Sequence, residues 1–260
     1  MAPAYVALHP PTTSFPFPAG AGGHIRRRPQ WSPPASRTPR PPVATRVVPR
    51  RLLLPAAAGI WDFISGGAGG AAAASLAVRR GMQLFRQGDV AGSLEEFDRA
   101  IEMDPRQKQY LWQRGLSLYY LDRFEEGTEQ FRLDVVANPN DTEESIWCFL
   151  CEAQLYGIEE ARKRFLEASL DSRPVMREAY AMFKDAGDPE KLVANFSSGT
   201  GGEVFYSSLY AGLYYESQKD GDKTKSHIVA ACKSPYGSRS GDYMASLAFV
   251  HCQCRNWDLE

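Results

Sequence analysis

Before Asp62 the chain has no Asp, Glu or Lys, although eight Arg lie there. An acid-free, Arg-bearing stretch cannot neutralise itself through internal ion pairs. Beyond position 55 proline becomes scarce, because 13 of the 18 prolines fall in residues 1–55. Each proline removes a backbone donor and fixes φ, so the first 55 residues exclude regular helix and sheet while the rest permit long helices. No run of 18 apolar residues occurs, which excludes a membrane-spanning helix. There are five Cys, none before Cys148. That odd, sparse set excludes a disulfide-stapled fold and points to reduced thiols. Of the four His, His9 and His24 lie in the N-terminal stretch. Neither His227 nor His251 belongs to a Ser, Cys or carboxylate pattern that suggests a catalytic set, and solvated or capping roles are expected for them. The Gly-rich runs 66–70 and 199–202 lack the Lys-Ser/Thr and the preceding strand of a phosphate loop. No catalytic residue, cofactor site or metal site is expected.

The net charge of −1 hides an asymmetry. Residues 75–260 hold 22 Lys and Arg against 30 Asp and Glu, near −8, behind a basic leading stretch. An acidic domain is poorly matched to nucleic acid, whose binding rests largely on Lys and Arg at phosphates, so no nucleic-acid partner is expected.

Within the acidic part, a unit of 34 residues is written twice. Gly81 recurs as Gly115, Leu84 as Leu118, Phe97 as Phe131 and Pro105 as Pro139. Apolar residues at helical spacing predict helices over 76–87 and 90–103, then a second pair holding Tyr110, Leu111, Trp112 and Leu118 in its first helix and Phe124, Phe131 and Val135 in its second. Asp104-Pro105 and Asn138-Pro139 end each unit.

These positions resemble the tetratricopeptide (TPR) repeat: a small residue early, an aromatic late and a Pro near the end, at period 34. The resemblance implies an all-α fold, a solenoid of antiparallel helix pairs behind a disordered N-terminal segment. It divides residues 75–255 into repeat 1 (74–107), repeat 2 (108–141), a degenerate repeat 3 (142–173), an irregular helical pair (174–196), a degenerate repeat 4 (203–236) and a capping helix (239–255). Its packing positions are Gly81, Phe97, Ala100 and Pro105, then Gly115, Phe131 and Pro139, with Cys151, Ala161 and Phe165 in repeat 3. Asp134 stands where a small residue is expected. In repeat 4, Gly212 and Tyr215 take the small and aromatic positions of the first helix, and Thr224, Ile228 and Ala231 take positions of the second. The arrangement is also remotely similar to TPR adaptor lipoproteins of Gram-negative bacteria, although the Cys such proteins lipidate is missing here.

In such a stack the first helices line a concave groove. Groove positions carried over by the resemblance are Val78, Met82, Phe85 and Arg86 in repeat 1, and Gln109, Trp112, Leu116, Tyr119 and Tyr120 in repeat 2. Val78 and Met82 fall where chaperone-binding TPR domains place the Lys and Asn of a carboxylate clamp, so no such clamp is expected. The implied function is a non-enzymatic adaptor or assembly scaffold, holding a peptide or partner helix of a protein of unknown identity.

Residues 1–57, rich in Pro, Ala, Ser and Arg and free of acid, resemble a plastid transit peptide, and 58–74 read as a Gly/Ala-rich linker. The expected location is the chloroplast, in the stroma or at the thylakoid. The Arg50-Arg51 pair before a short apolar run leaves the lumen open. Two other readings stand beside the adaptor. Cys148-x-x-Cys151 has the spacing of a redox or zinc pair, though it lies inside an expected helix with no strand nearby and Cys151 takes a packing slot. Helical repeats of similar length also bind RNA.

Overall fold

A computed structural model describes residues 66–259, and all regular structure among them is helical. The transit-peptide reading of residues 1–57 and the first part of the linker lie outside the described residues.

Five helix pairs follow in chain order. They are α1 (Gly66–Arg86) with α2 (Val90–Met103), α3 (Trp112–Tyr120) with α4 (Phe124–Ala137), and α5 (Thr142–Tyr156) with α6 (Ile158–Lys163). After them come α7 (Pro174–Asp185) with α8 (Pro189–Phe196), and α9 (Gly201–Ser217) with α10 (Gly221–Lys233). A short α11 (Pro235–Arg239) leads to α12 (Tyr243–Cys254). Each helix packs on its chain neighbour, and α2–α3, α4–α5 and α8–α9 also join one pair to the next.

The helix starts follow from local chemistry. The side chains of Asp89, Asp141, Asp188, Asp220 and Asp242 each accept a backbone N–H in the first turn of a helix, and Thr200 with Glu203 forms a reciprocal capping box. The few downstream prolines are used where a missing N–H costs nothing: Pro174, Pro189 and Pro235 open their helices. Pro105 opens a 3₁₀ turn (Pro105–Tyr110) capped by Asp104. That turn moves the start of α3 to Trp112, so Tyr110 stays outside the helix and is exposed.

The pairs close tightly where a glycine faces a large side chain sixteen residues later. A Cβ on Gly81 would lie 2.7 Å from Phe97, one on Gly115 2.5 Å from Phe131, and one on Gly212 2.8 Å from Ile228. Phe97, Phe131 and Ala100 are fully buried behind these contacts. Polar ties repeat at the same spacing: Arg114 donates to Asp98 at 2.6 Å and to Gln130 at 3.3 Å, joining α2, α3 and α4.

Several expectations need correction. Residues 66–74, expected to be part of a linker, belong to α1, because its alanines favour helix and Ala74 and Ala77 pack against Ala100. In repeat 3 the second helix stops at Lys163, and Phe165 and Ala168 lie on irregular chain. That segment is held by side chains and turns instead: the Tyr180 hydroxyl accepts from the Ala168 N–H at 3.0 Å and donates to the Leu166 carbonyl at 3.1 Å, while Ser169 N–H reaches the Pro139 carbonyl at 2.8 Å. Phe165 still packs, edge-on to Tyr180 at 5.2 Å. Ala161 and Cys151 are fully buried as packing residues, and Pro105 and Pro139 are exposed.

The largest correction concerns α12. It does more than cover the last pair. It packs on α10 and also returns to α1. Its Tyr243 ring stacks on Phe85 of α1 at 5.3 Å and meets Trp112 of α3 edge-on at 5.4 Å. Tyr120 shares a 3.0 Å hydrogen bond with Nδ1 of His251, which is fully buried rather than solvated. Tyr119 donates to Glu216 of α9 at 2.9 Å, and Arg255, just past α12, donates to the same carboxylate from Nε at 2.9 Å. The inner face of the first helices is therefore occupied by the chain itself.

Asp134 shows what the departure from a small residue costs. The carboxyl is buried on α4, accepts from the Gln130 amide at 3.2 Å, and leaves Oδ1 without a partner. Burial pushes its pKa up to about 8. A carboxyl whose folded pKa lies above the unfolded one contributes its full stability below the unfolded value near 4 and loses it as pH rises towards 8. Asp134→Asn keeps the shape and removes the titration. Its advantage over the parent is expected to be near zero at acid pH and on the order of 5 kcal/mol at high pH, as the carboxyl becomes costly to keep neutral. Thermal melts of both proteins across that range check this; a constant difference would mean that Asp134 is not strained by burial.

Candidate functional site

The closure by α12 decides which of the expected groove residues remain accessible. Phe85, Leu116, Tyr119 and Tyr120 are buried, so they do not form an open groove. The reason is that the rings of Phe85 and Tyr120 meet Tyr243 and His251, and burying both sets together removes more apolar surface from water than leaving a groove. Arg86 and Gln109 are exposed; Val78, Met82 and Trp112 are half-buried. Arg86 also reaches across to α12: it donates to the Gly241 carbonyl at 3.3 Å, and its guanidinium lies 5.4 Å from the Tyr243 ring centre.

Beside this contact a cavity of about 360 Å³ opens between α3, α4, α5, α9 and the start of α12. Trp112, Phe131, Trp147 and Tyr243 supply aromatic walls. The acidic residues are Asp141, Glu143 and Glu144, at the start of α5, and Asp242, the cap of α12. Local sequence explains this concentration: both helices are capped by Asp, and α5 carries Glu143 and Glu144 in its first turn, where the helix dipole favours negative charge.

Three of these carboxylates are engaged. Asp141 accepts from the Glu143 N–H at 3.1 Å. Asp242 accepts from the hydroxyls of Tyr206 and Tyr236, each at 2.8 Å, and from the Met244 N–H at 3.0 Å. Glu143 receives Nη1 of Arg173 at 2.6 Å. Burial nonetheless raises Glu143 to a pKa of about 7, against the pull of Arg173. Arg173 is itself committed, since it grips Asp171 through Nε at 3.1 Å and Nη2 at 2.8 Å and lies over the Tyr206 ring at 5.7 Å. Glu144 differs from the rest. It is buried, its Oε2 has no partner, and burial together with Asp141 and Glu143 pushes its pKa up. The indole N–H of Trp147 and the hydroxyl of Tyr243 are also buried without partners. No family model matches the chain. Function must therefore be read from this geometry.

The C-x-x-C pair sits in the middle of α5. Burial, with Glu152 nearby, pushes Cys148 up to about 12, and burial raises Cys151 as well, the reverse of what a reactive thiolate needs. The thiols that do approach each other are Cys232 of α10 and Cys252 of α12, 3.9 Å apart and both buried. Their spacing in sequence gives no sign of this. Sequence reasoning likewise missed the cavity carboxylates and Arg173. The one available signal was the acid pair after Asp141, which also reads as an ordinary helix start. His227 faces Glu190 at 3.1 Å and stacks on Tyr215 at 5.5 Å. Among the described residues, no group of three or more His, Cys, Asp or Glu is placed to hold a metal ion, and no helix is long and apolar enough to cross a membrane.

Proposed function

We propose that the chain is a non-enzymatic adaptor or assembly scaffold of the TPR type, working in the plastid and binding a protein partner at the cavity mouth rather than along an open groove. The observation that carries this is Trp112, which stays only half-buried in the cavity wall and lies two residues after the 3₁₀ turn bearing exposed Gln109 and Tyr110. Large rings left partly exposed beside a polar recess are the residue types that dominate partner energetics. The TPR reading is supported by the 34-residue period and by the glycine–ring contacts that recur in the same register in the first two pairs. The plastid reading rests on the composition of residues 1–57.

Capture from plastid extract with the full chain and with Trp112→Ala tests the proposal. A specific partner is expected whose recovery falls at least about tenfold with the variant, as for a hot-spot aromatic. Equal recovery by a variant that melts like the parent would remove this surface from consideration.

A further inference from the structure

We propose that the cavity recognises a lysine or arginine side chain presented by a peptide segment of the partner; this rests on the adaptor reading above. Charge selects the ligand first. Asp141, Glu143, Glu144 and Asp242 line the cavity, and the single cation among them, Arg173, is held by Glu143 and Asp171. An anion would meet carboxylates. A neutral apolar group would leave the buried Glu144 oxygen as unpaired as before. An ammonium or guanidinium donates to that oxygen and offsets the crowding of acids around it.

The walls fit the rest of such a side chain. Rings of Trp112 and Tyr243 meet edge-on at 5.4 Å, and Trp147 lies beyond them. Aromatic faces attract a desolvated cation and cover the methylene stem behind it. The unpartnered groups say what must accompany the cation. Trp147, 2% exposed, has an indole N–H that can only donate, so it calls for an acceptor beside the positive charge. A peptide carbonyl next to a basic side chain supplies one, and a simple inorganic cation does not. At about 360 Å³ the cavity has room for one side chain with its flanking peptide group.

The test uses the purified full chain and three small probes: the Nα-acetyl methylamides of lysine, arginine and norleucine. Titration calorimetry, with tryptophan fluorescence as a second signal, reads binding. The two basic probes are expected to bind at least about tenfold more tightly than the norleucine compound, with an affinity that weakens as salt is raised. Glu144→Gln, which keeps shape but cannot ionise to pair with the bound cation, is expected to reduce this preference about tenfold, with an unchanged near-ultraviolet dichroism spectrum showing that the site is intact. If that variant does not fold, Asp141→Asn serves in its place, because Asn also caps a helix. Equal binding of norleucine and lysine probes, no saturable binding of either basic probe, or an undiminished preference in the folded variant would each overturn the assignment. Partner capture that still depends on Trp112 while the basic probes fail would leave the adaptor reading standing and remove only the cationic ligand.

Discussion

Ending the chain at residue 241 is expected to abolish cooperative unfolding. The deletion removes α12 and with it the buried Tyr243, Met244, Leu247 and Val250. Each such side chain contributes about 1.5–3 kcal/mol by burial. It also uncovers Phe85 and leaves the Tyr120 hydroxyl without His251. Unsatisfied groups of this kind cost about 1–3 kcal/mol each where they stay buried. Together these losses match or exceed the ~5–15 kcal/mol by which a domain is normally stable. The shortened protein should keep much of its helix signal, lose its near-ultraviolet dichroism and bind a hydrophobic dye. A truncated chain that melts cooperatively within about 5 °C of the parent would show α12 to be an appendage rather than a closing element.

Trp147→Ala is expected to cost about 3–5 kcal/mol, the range for truncating a large buried aromatic. Trp147 is a point where the second and third pairs meet. Its ring lies 5.3 Å from Tyr119, 6.4 Å from Tyr120 and 6.4 Å from Phe131, centre to centre. Removing it empties a volume that backbone from α3, α4 and α5 cannot collapse to fill, since each is pinned by its own glycine or ring contact. The melting temperature should fall by about 10 °C for a domain of this size. Trp147→Phe should cost clearly less, because one ring still fills most of the space. Equal losses for the two variants would show that a smaller ring cannot replace the indole here, so that the shape of the side chain rather than its volume is what the site requires.

The Trp147 substitution also bears on the cavity, of which that residue forms a wall. A binding defect in Trp147→Ala would mix stability with recognition. Trp112→Ala and Glu144→Gln address recognition more directly, because Trp112 is only half-buried and Gln keeps the shape of Glu144 while removing its ability to ionise beside a bound cation.

Much of the helical architecture was legible because it is local. Asp before a helix, Pro at its first position and Gly facing a ring sixteen residues later act within one or two turns or within one pair. Such signals survive in sequence regardless of what the remainder of the chain does. The bounds of α2, α7 and α12 follow them closely. Where the local signal was ambiguous, packing decided. Residues 66–74 read as linker by their glycines, but the alanines found a surface on α2. Phe165 and Ala168 kept a helical spacing that the chain does not use, because Tyr180 anchors the backbone in another form.

The sequence by itself determined an all-helical architecture for the described residues, its main caps and turns, and the repeated glycine–ring pairing, since each depends on contacts over short separations. The tertiary structure alone decided which face is buried. Tyr120 and His251 are 131 residues apart, and nothing in either neighbourhood specifies the other. Only once several pairs have been stacked does α12 reach the inner face, cover the aromatic residues there and leave a small acidic cavity beside Trp112 as the candidate surface. The physical reason is that apolar burial is non-directional: a row of rings along first helices is equally ready for a partner or for the chain's own last helix, and geometry chooses between them.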